Sequence, residues 1–316
     1  MSQSGNLAAG INGNSGAPLF SIIIPTRNRV SRLARCLDYV SSIRSNKSWE
    51  LIVVDNGSTD ETPQFLERFA QGSPIAVQVV REPVAGGMHT RNAGARVARG
   101  EILIFADDDC YVRPDIVDQY CKIFEDPGIG FAGGRILLHD PTDYPLTIIE
   151  SEVEVRLPAG RPVPCGVVQG ANMALRRQAL VDAGGFDARM GPGSPFAAED
   201  WEILTRIGAE GWSGGYFPGP TVSHHHGRKR QEAKKRIHSY NVGSGAVYLK
   251  LIANPRTRRI YLPHVQRRIL GDMKYHQIKI ATQIYGAILF LWQNRHRLLD
   301  TMPSTAQASD PRPHSG

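Results

Sequence analysis

The sequence predicts an α/β fold with a mostly parallel central sheet, flanked by helices and followed by a helical extension. Three observations predict it. Four short apolar runs before residue 106 alternate with amphipathic stretches of helical spacing. Those runs are apolar at nearly every position, as strands covered on both faces are. Beyond Gly227 the chain turns basic and keeps helical periodicity to about Leu299.

The elements follow in order. Phe20 to Ile24 is an apolar strand stopped at Pro25. Val30 to Ile43 places Leu33, Leu37, Val40 and Ile43 on one helix face. Leu51 to Val54 is the second strand, ended by Asp55-Asn56-Gly57-Ser58, and a helix carries Phe65, Leu66 and Phe69. Ile75 to Val80 reads as the third strand. Gly86-Gly87 turns into a helix from about Met88 to Arg99, and Ile102 to Phe105 is the fourth strand. Past Gly130 shorter, glycine-rich strands are expected at Phe131 to Gly134, Gly166 to Ala171, Tyr216-Phe217 and Thr221-Val222. Helices are expected at Arg177 to Ala183 and Glu199 to Gly208. This half should form a mixed sheet fused to the first. The domain reading is a loose lead-in over 1–18, one α/β domain over 19–227, a basic extension of two long helical stretches over 228–300, and a Pro- and Ser-rich tail over 301–316.

Composition sets bounds. The chain has 316 residues, enough for a sizeable core. Its formal charge of +7 suits an anionic partner. Cys36, Cys110, Cys121 and Cys165 show no CxxC pairing and read as reduced thiols of a cytoplasmic protein. The N-terminus lacks the basic start and apolar stretch of a signal peptide, and no apolar run approaches the ~20 residues of a membrane span. There is no recognisable nucleic-acid module, so nucleic acid is not expected as a partner.

The stretch Glu101 to Asp115, EILIFADDDCYVRPD, carries the chemistry. A buried strand runs into Asp107, Asp108 and Asp109. Adjacent carboxylates repel and resist burial, so such a cluster calls for a cation, and oxygen ligands suit Mn or Mg. Carboxylates at the carboxyl end of a strand lie where open α/β sheets bind ligands. The competing reading is an acidic turn that caps the next helix near Pro114.

Five segments, SIIIPTRNR, LIVVDNGSTD, GGMHTRNAGARVARGEILIFADDD, AAEDWEILTRIGAEGW and PTVSHHHG, together resemble family 2 of the glycosyltransferases, inverting enzymes with a GT-A fold. The resemblance covers Phe20 to Gly227. It implies that Pro25, Thr26, Arg27, Asn28 and Asp55 hold the base and ribose of a nucleoside diphosphate sugar. Asp107 would approach the ribose, Asp108 is the ambiguous middle member, and Asp109 would bind the metal. Arg91 would be a cation near the acids. Asp200 would be the catalytic base with Glu199 in support, and Gly170 and Asn172 would lie on the acceptor side. A histidine of the His224 to His226 run would be a further metal ligand. Adjacent strand residues face opposite ways, so His224 and His226 share a face; His224 is preferred and His226 stays open.

The resemblance also implies a saccharide or lipid-linked acceptor in polysaccharide, cell-envelope glycan or glycolipid synthesis, with UDP as the first donor nucleotide. The QxxRW motif of processive members is absent, which favours single-sugar transfer. Rival readings are a metal-dependent phosphohydrolase or nucleotidyltransferase, and a non-catalytic relative. No P-loop and no G-x-G-x-x-G after a strand is present. Ile280, Ile284, Ala287, Ile288 and Leu291 recur at helical spacing, with Lys274, Lys279, Arg295 and Arg297 at the ends. That helix either packs on the domain or lies on an anionic membrane, which would make the protein peripheral on the inner membrane face.

Overall fold

The computed structural model describes residues 16–273 and 277–300. The lead-in over 1–15, Lys274 and the tail over 301–316 lie outside the described residues. The chain runs β1 (Phe20–Thr26), α1 (Val30–Ser41), β2 (Trp49–Asp55), α2 (Thr62–Gly72), β3 (Val77–Arg81), α3 (Gly87–Val97), β4 (Ile102–Phe105), β5 (Cys110–Val112), α4 (Ile116–Phe124), β6 (Ile129–Leu138), β7 (Val155–Leu157), β8 (Met173–Arg176), α5 (Arg177–Asp182), α6 (Glu199–Ala209) and β9 (Ser213–His224). Three helices follow: α7 (Arg230–Ala253), α8 (Pro255–Met273) and α9 (Gln277–Asp300).

One mixed sheet organises the domain, in the order β3-β2-β1-β4-β8-β6-β9-β5, with β7 on β9. Strands β1 to β4 pair in parallel, as their apolar runs predict. Strand β8 joins antiparallel to both β4 and β6. The carboxyl ends of β1, β2 and β4 therefore share one edge, which is where the acidic cluster emerges.

The second half departs from the sequence reading in four places. The strands there are not uniformly short: β6 has 10 residues and β9 has 12. Tyr216-Phe217 and Thr221-Val222 belong to the single strand β9, whose pairing with β6 jumps from Gly133↔Tyr216 to Arg135↔Thr221. Pro218 and Pro220 lie in that unpaired interval, so their missing N–H groups cost no ladder bond. Gly166 to Ala171 is a loop, and the neighbouring strand is β8. Among the described residues the extension holds three helices rather than two stretches.

Two apolar layers cover the sheet. One gathers Leu33, Leu37, Val40, Tyr120 and Phe124 from α1 and α4 against Ile22, Ile24, Val53 and Ile104. The other gathers Ile23, Phe105 and Phe131 with Trp201, Ile203 and Ile207 of α6. Val242, Ala246, Val247 and Leu251 of α7 and Phe290 of α9 belong to this second layer. The core thus runs across Gly227 into the extension. Helix α8 contains Pro263 without ending there.

Candidate active site

Strand β4 delivers its three aspartates into a ring of cations. Asp108 accepts from Thr26 Oγ1 at 2.8 Å and from Arg29 Nη1 at 2.5 Å. Asp109 lies 3.2 Å from Arg29 Nη1, 3.3 Å from Arg32 Nη1 and 3.3 Å from His224 Nε2. Asp107, the most exposed of the three, pairs with Arg91 Nη2 at 3.0 Å. Burial pushes Asp108 up to about 6, although Arg29 opposes the shift. Burial also penalises the Asp109 carboxylate, but His224, Arg29 and Arg32 outweigh it and bring Asp109 down to about 2.

The pairing of β5 with β9 sets Cys110 opposite His224. Asp107, Asp109, Cys110 and His224 can each bring one ligand atom within 4.8 Å of the others. Burial and the neighbouring carboxylates push the Cys110 thiol well up, so it stays protonated and is a poor ligand. Two carboxylates and an imidazole remain, a donor set that fits a divalent cation. His226 is also buried and its ring meets that of His224 at 5.1 Å, while its Nδ1 faces Asp143 at 3.8 Å. His225 turns away, with Nδ1 at 3.0 Å from Tyr111 Oη.

Across the cavity, Glu199 and Asp200 open α6. Asp200 Oδ1 accepts from Trp201 N at 2.7 Å, and Oδ2 accepts from Gly170 N at 3.1 Å. Burial pushes Asp200 up; the Trp201 and Gly170 amides and the Arg91 charge oppose it. Burial, with the Asp200 charge second, pushes Glu199 up too. Ala198 precedes them at φ 98°, a left-handed conformation that an alanine adopts only under constraint. Arg91 ties the two halves together. It holds Asp107, and its Nη2 donates to Gly170 O at 3.0 Å. Its Nη1 is buried with no hydrogen-bond partner among the described residues, a donor left for an anionic oxygen.

These groups line one cavity of about 440 Å³, within the range of small-ligand sites. Pro25, Thr26, Arg27, Arg91, Asp107, Asp108, Asp109, Gly170, Glu199, Asp200 and His224 all reach it. Three expected residues do not. Asp55 is buried and its Oδ1 accepts from Ser58 N at 2.9 Å, a turn bond. Asn28, at φ 52°, accepts from Thr59 N and pins the β1 loop to the β2 loop. Asn172, expected on the acceptor side, is buried in the core. There it accepts from Tyr120 Oη and donates to the carbonyls of Arg135 and Pro220.

The sequence reading missed Arg29, Asn56, Arg228, Arg236 and Tyr240, which line the cavity as well. Arg29 ends the quoted SIIIPTRNR motif, so its place in the motif was a usable signal. Arg236 lies in a basic run that reads as surface. Only the packing of α7 turns it, stacked on Tyr240 at 4.9 Å, toward Glu199 and Asp107.

Comparison with known proteins bears on the family and the fold. The family model described as Glycosyl transferase family 2 matches residues 21–182, and that described as Glycosyl transferase family group 2 matches residues 102–296. Glycosyltransferase AglE of Haloferax volcanii is 30% identical over 123 residues, 39% of this chain and 40% of AglE. A PGL/p-HBAD biosynthesis glycosyltransferase of Mycobacterium bovis is 39% identical over 97 residues, 30% of this chain and 38% of that protein. The matched segment thus spans about two fifths of these curated relatives' length. Among solved structures, the mannosyltransferase PcManGT of Pyrobaculum calidifontis, in complex with GDP-Man and Mn2+, aligns over 90% of this chain and 86% of its own, with TM-score 0.59 and 21% identity. S. aureus TarS 1-349 in complex with UDP-GlcNAc aligns over 88% and 82%, with TM-score 0.61 and 15% identity. These likenesses show the GT-A fold. With the family model spanning half of its length, the chain belongs to glycosyl transferase family 2.

Proposed function

We propose that the protein is an inverting glycosyltransferase that moves one sugar from a nucleoside diphosphate sugar to a hydroxyl of a saccharide or lipid-linked acceptor. The observation that carries this is the position of Asp200: a half-buried carboxylate, aimed by two backbone amides, lining the same cavity as Asp107, Asp108 and Asp109. In a single displacement, the acceptor oxygen bonds to the anomeric carbon as the bond to the diphosphate breaks. Asp200 takes the proton of the acceptor hydroxyl, and its raised affinity for protons makes it a stronger base than an exposed aspartate.

Asp107, Asp109 and His224 would hold the divalent cation, Mn or Mg. Bound there, it supplies Lewis-acid neutralisation of the diphosphate. Arg91 Nη1 offers a further donor to an anionic oxygen, and the β1 loop through Pro25, Thr26 and Arg27 forms the nucleotide side. UDP is the first donor class we assign. Polysaccharide, cell-envelope glycan or glycolipid synthesis is the setting that a cytoplasmic transferase of this kind would serve.

Nucleotide release from a panel of UDP- and GDP-sugars, with and without Mn2+, tests the reading. Acceptor-dependent release that EDTA suppresses is expected. Release that is metal-dependent yet indifferent to any acceptor would favour the phosphohydrolase instead. Calorimetry with UDP should give tight binding with Mn2+ and weak binding in EDTA, and Asp109→Ala should abolish the difference.

A further inference from the structure

Helix α9 has two apolar faces, and among the described residues only one is packed. On one side Phe290 and Asn294 are buried, and Gly286 lets α9 lie directly on α7, since a Cβ there would meet Val242 O at 2.0 Å. On the other side Ile278, Ile284, Tyr285, Ile288, Leu291 and Trp292 point outward. At 100° per residue they fall within an arc of roughly 140°. Ile278 is 86% exposed, Ile288 60% and Trp292 63%. These six are nearly half of the fourteen exposed large hydrophobic side chains among the described residues. Elsewhere such residues are scattered, which is ordinary; a contiguous stripe is not. The sequence reading found the Ile284, Ile288 and Leu291 line, but placed Ile280 and Ala287 with it; both are only partly exposed.

Charge indicates what covers this face. Residues 228–300 hold sixteen Lys and Arg against Glu232, Asp272 and Asp300, a net +13. The whole chain is +7, so the remaining residues carry a net −6. The protein is polarised, and the apolar face belongs to its positive part. Trp292 and Tyr285 are the side chains suited to a lipid–water boundary. Arg295 stacks over Trp292 at 5.6 Å, which puts a cation at the edge of the stripe. No helix among the described residues is long and apolar enough to cross a membrane. A second copy of the same chain would set one strongly basic segment against another. An anionic bilayer accepts both the apolar stripe and the charge.

We propose that α9 lies in the surface of an anionic lipid bilayer, with Ile278, Ile284, Tyr285, Ile288, Leu291 and Trp292 inserted among the headgroups. Because α9 packs on α7, and α7 carries Arg236 and Tyr240 into the cavity, the membrane plane and the catalytic cavity are joined by one helix pair. The docking surface stands apart from the proposed chemistry and is tested without it.

Full-length protein is floated with vesicles of 70:30 phosphatidylcholine:phosphatidylglycerol at 50 mM and 500 mM salt, and with pure phosphatidylcholine. Binding is expected on the anionic vesicles, with at least a fivefold drop in bound fraction at high salt or on neutral lipid. The double variant Ile284→Glu with Ile288→Glu alters only exposed positions. It should keep the native melting curve and lose binding at least tenfold. Brominated lipid should quench wild-type tryptophan emission, and Trp292→Phe should remove most of that quenching. Protein that stays unbound on anionic vesicles at low salt overturns the proposal. So does a concentration-dependent dimer that the double variant splits while vesicle binding is unchanged. Inactive protein that still floats would count against the transferase reading and leave this one standing.

Discussion

The amide of Gly170 donates to Asp200 Oδ2 at 3.1 Å, while the carbonyl of the same residue accepts from Arg91. One residue of backbone thus links Asp200, the proposed base, to the cation that holds Asp107. A Cβ at Gly170 would lie 2.6 Å from Arg91 Nη1, so Gly170→Ala must shift either the loop or the guanidinium. Misplacement of about 1 Å in such a constellation can cost roughly 10² in rate. Gly170→Ala should lower kcat by about that factor and leave nucleotide affinity within a few fold. Steady-state kinetics beside UDP calorimetry separates the two.

Asp200→Asn keeps the shape but removes the basicity, and its single amide oxygen can accept from only one of the Trp201 and Gly170 amides. Transfer should fall by about 10² to 10⁴, with UDP binding unchanged. A variant that turned over within a few fold of wild type would remove Asp200 from the role of base.

The pH profile should follow the Glu199–Asp200 pair. Burial first, and their mutual repulsion for Glu199, push both groups above the ordinary carboxylate range. The base works only as a carboxylate, so kcat/KM should rise with pH through an apparent pKa above the ~4 of a free aspartate. An acid limb at or below the free value would contradict the burial argument.

Arg29 shares Asp108 and Asp109 between its two contacts, and its side chain is 37% exposed. It occupies part of the charge that a metal would balance. Arg29→Gln should tighten Mn2+ binding about two- to fivefold, matching the ~0.5–1 kcal/mol of a partly exposed ion pair. Free-Mn2+ electron paramagnetic resonance gives that ratio directly. Equal or weaker Mn2+ binding by the variant would show that Arg29 does not compete for the site.

Lys250 of α7 bridges Asp187 and Glu202, and Arg189 and Arg206 complete the network. Burial raises Asp187, but Arg189 and Lys250 outweigh it; for Glu202, Lys250 and Arg206 do the same. Both folded values lie below the unfolded ones. Their contribution to stability is therefore present above about pH 4 and lost as pH falls through the folded values. Lys250→Met should destabilise the protein by about 3 kcal/mol at pH 7, and the gap should narrow by pH 3. Urea unfolding of both proteins across that range checks the sign as well as the size.

The alternation of β1 to β4 with α1 to α3, the acidic end of β4 and the Glu199-Asp200 start of α6 were all legible in the chain. Each is encoded within a few residues, by apolar period, turn chemistry and local charge. What tertiary structure decided lies farther apart. Arg29 meets Asp108 across 79 residues and Arg32 meets His225 O across 193; no local period records such partners. Asn172 carries the right chemistry for a binding loop, yet the fold spends it on Tyr120, Arg135 and Pro220. Two prolines that read as breaks lie inside β9 because the β6 pairing skips them. Arg236 reads as surface charge until α7 packs on α6. Helix α9 shows an apolar stripe in either case; only its contact with α7 decides which half is core and which faces outward. Local sequence sets what an element is, and the crossing of distant elements sets which of its side chains find a partner.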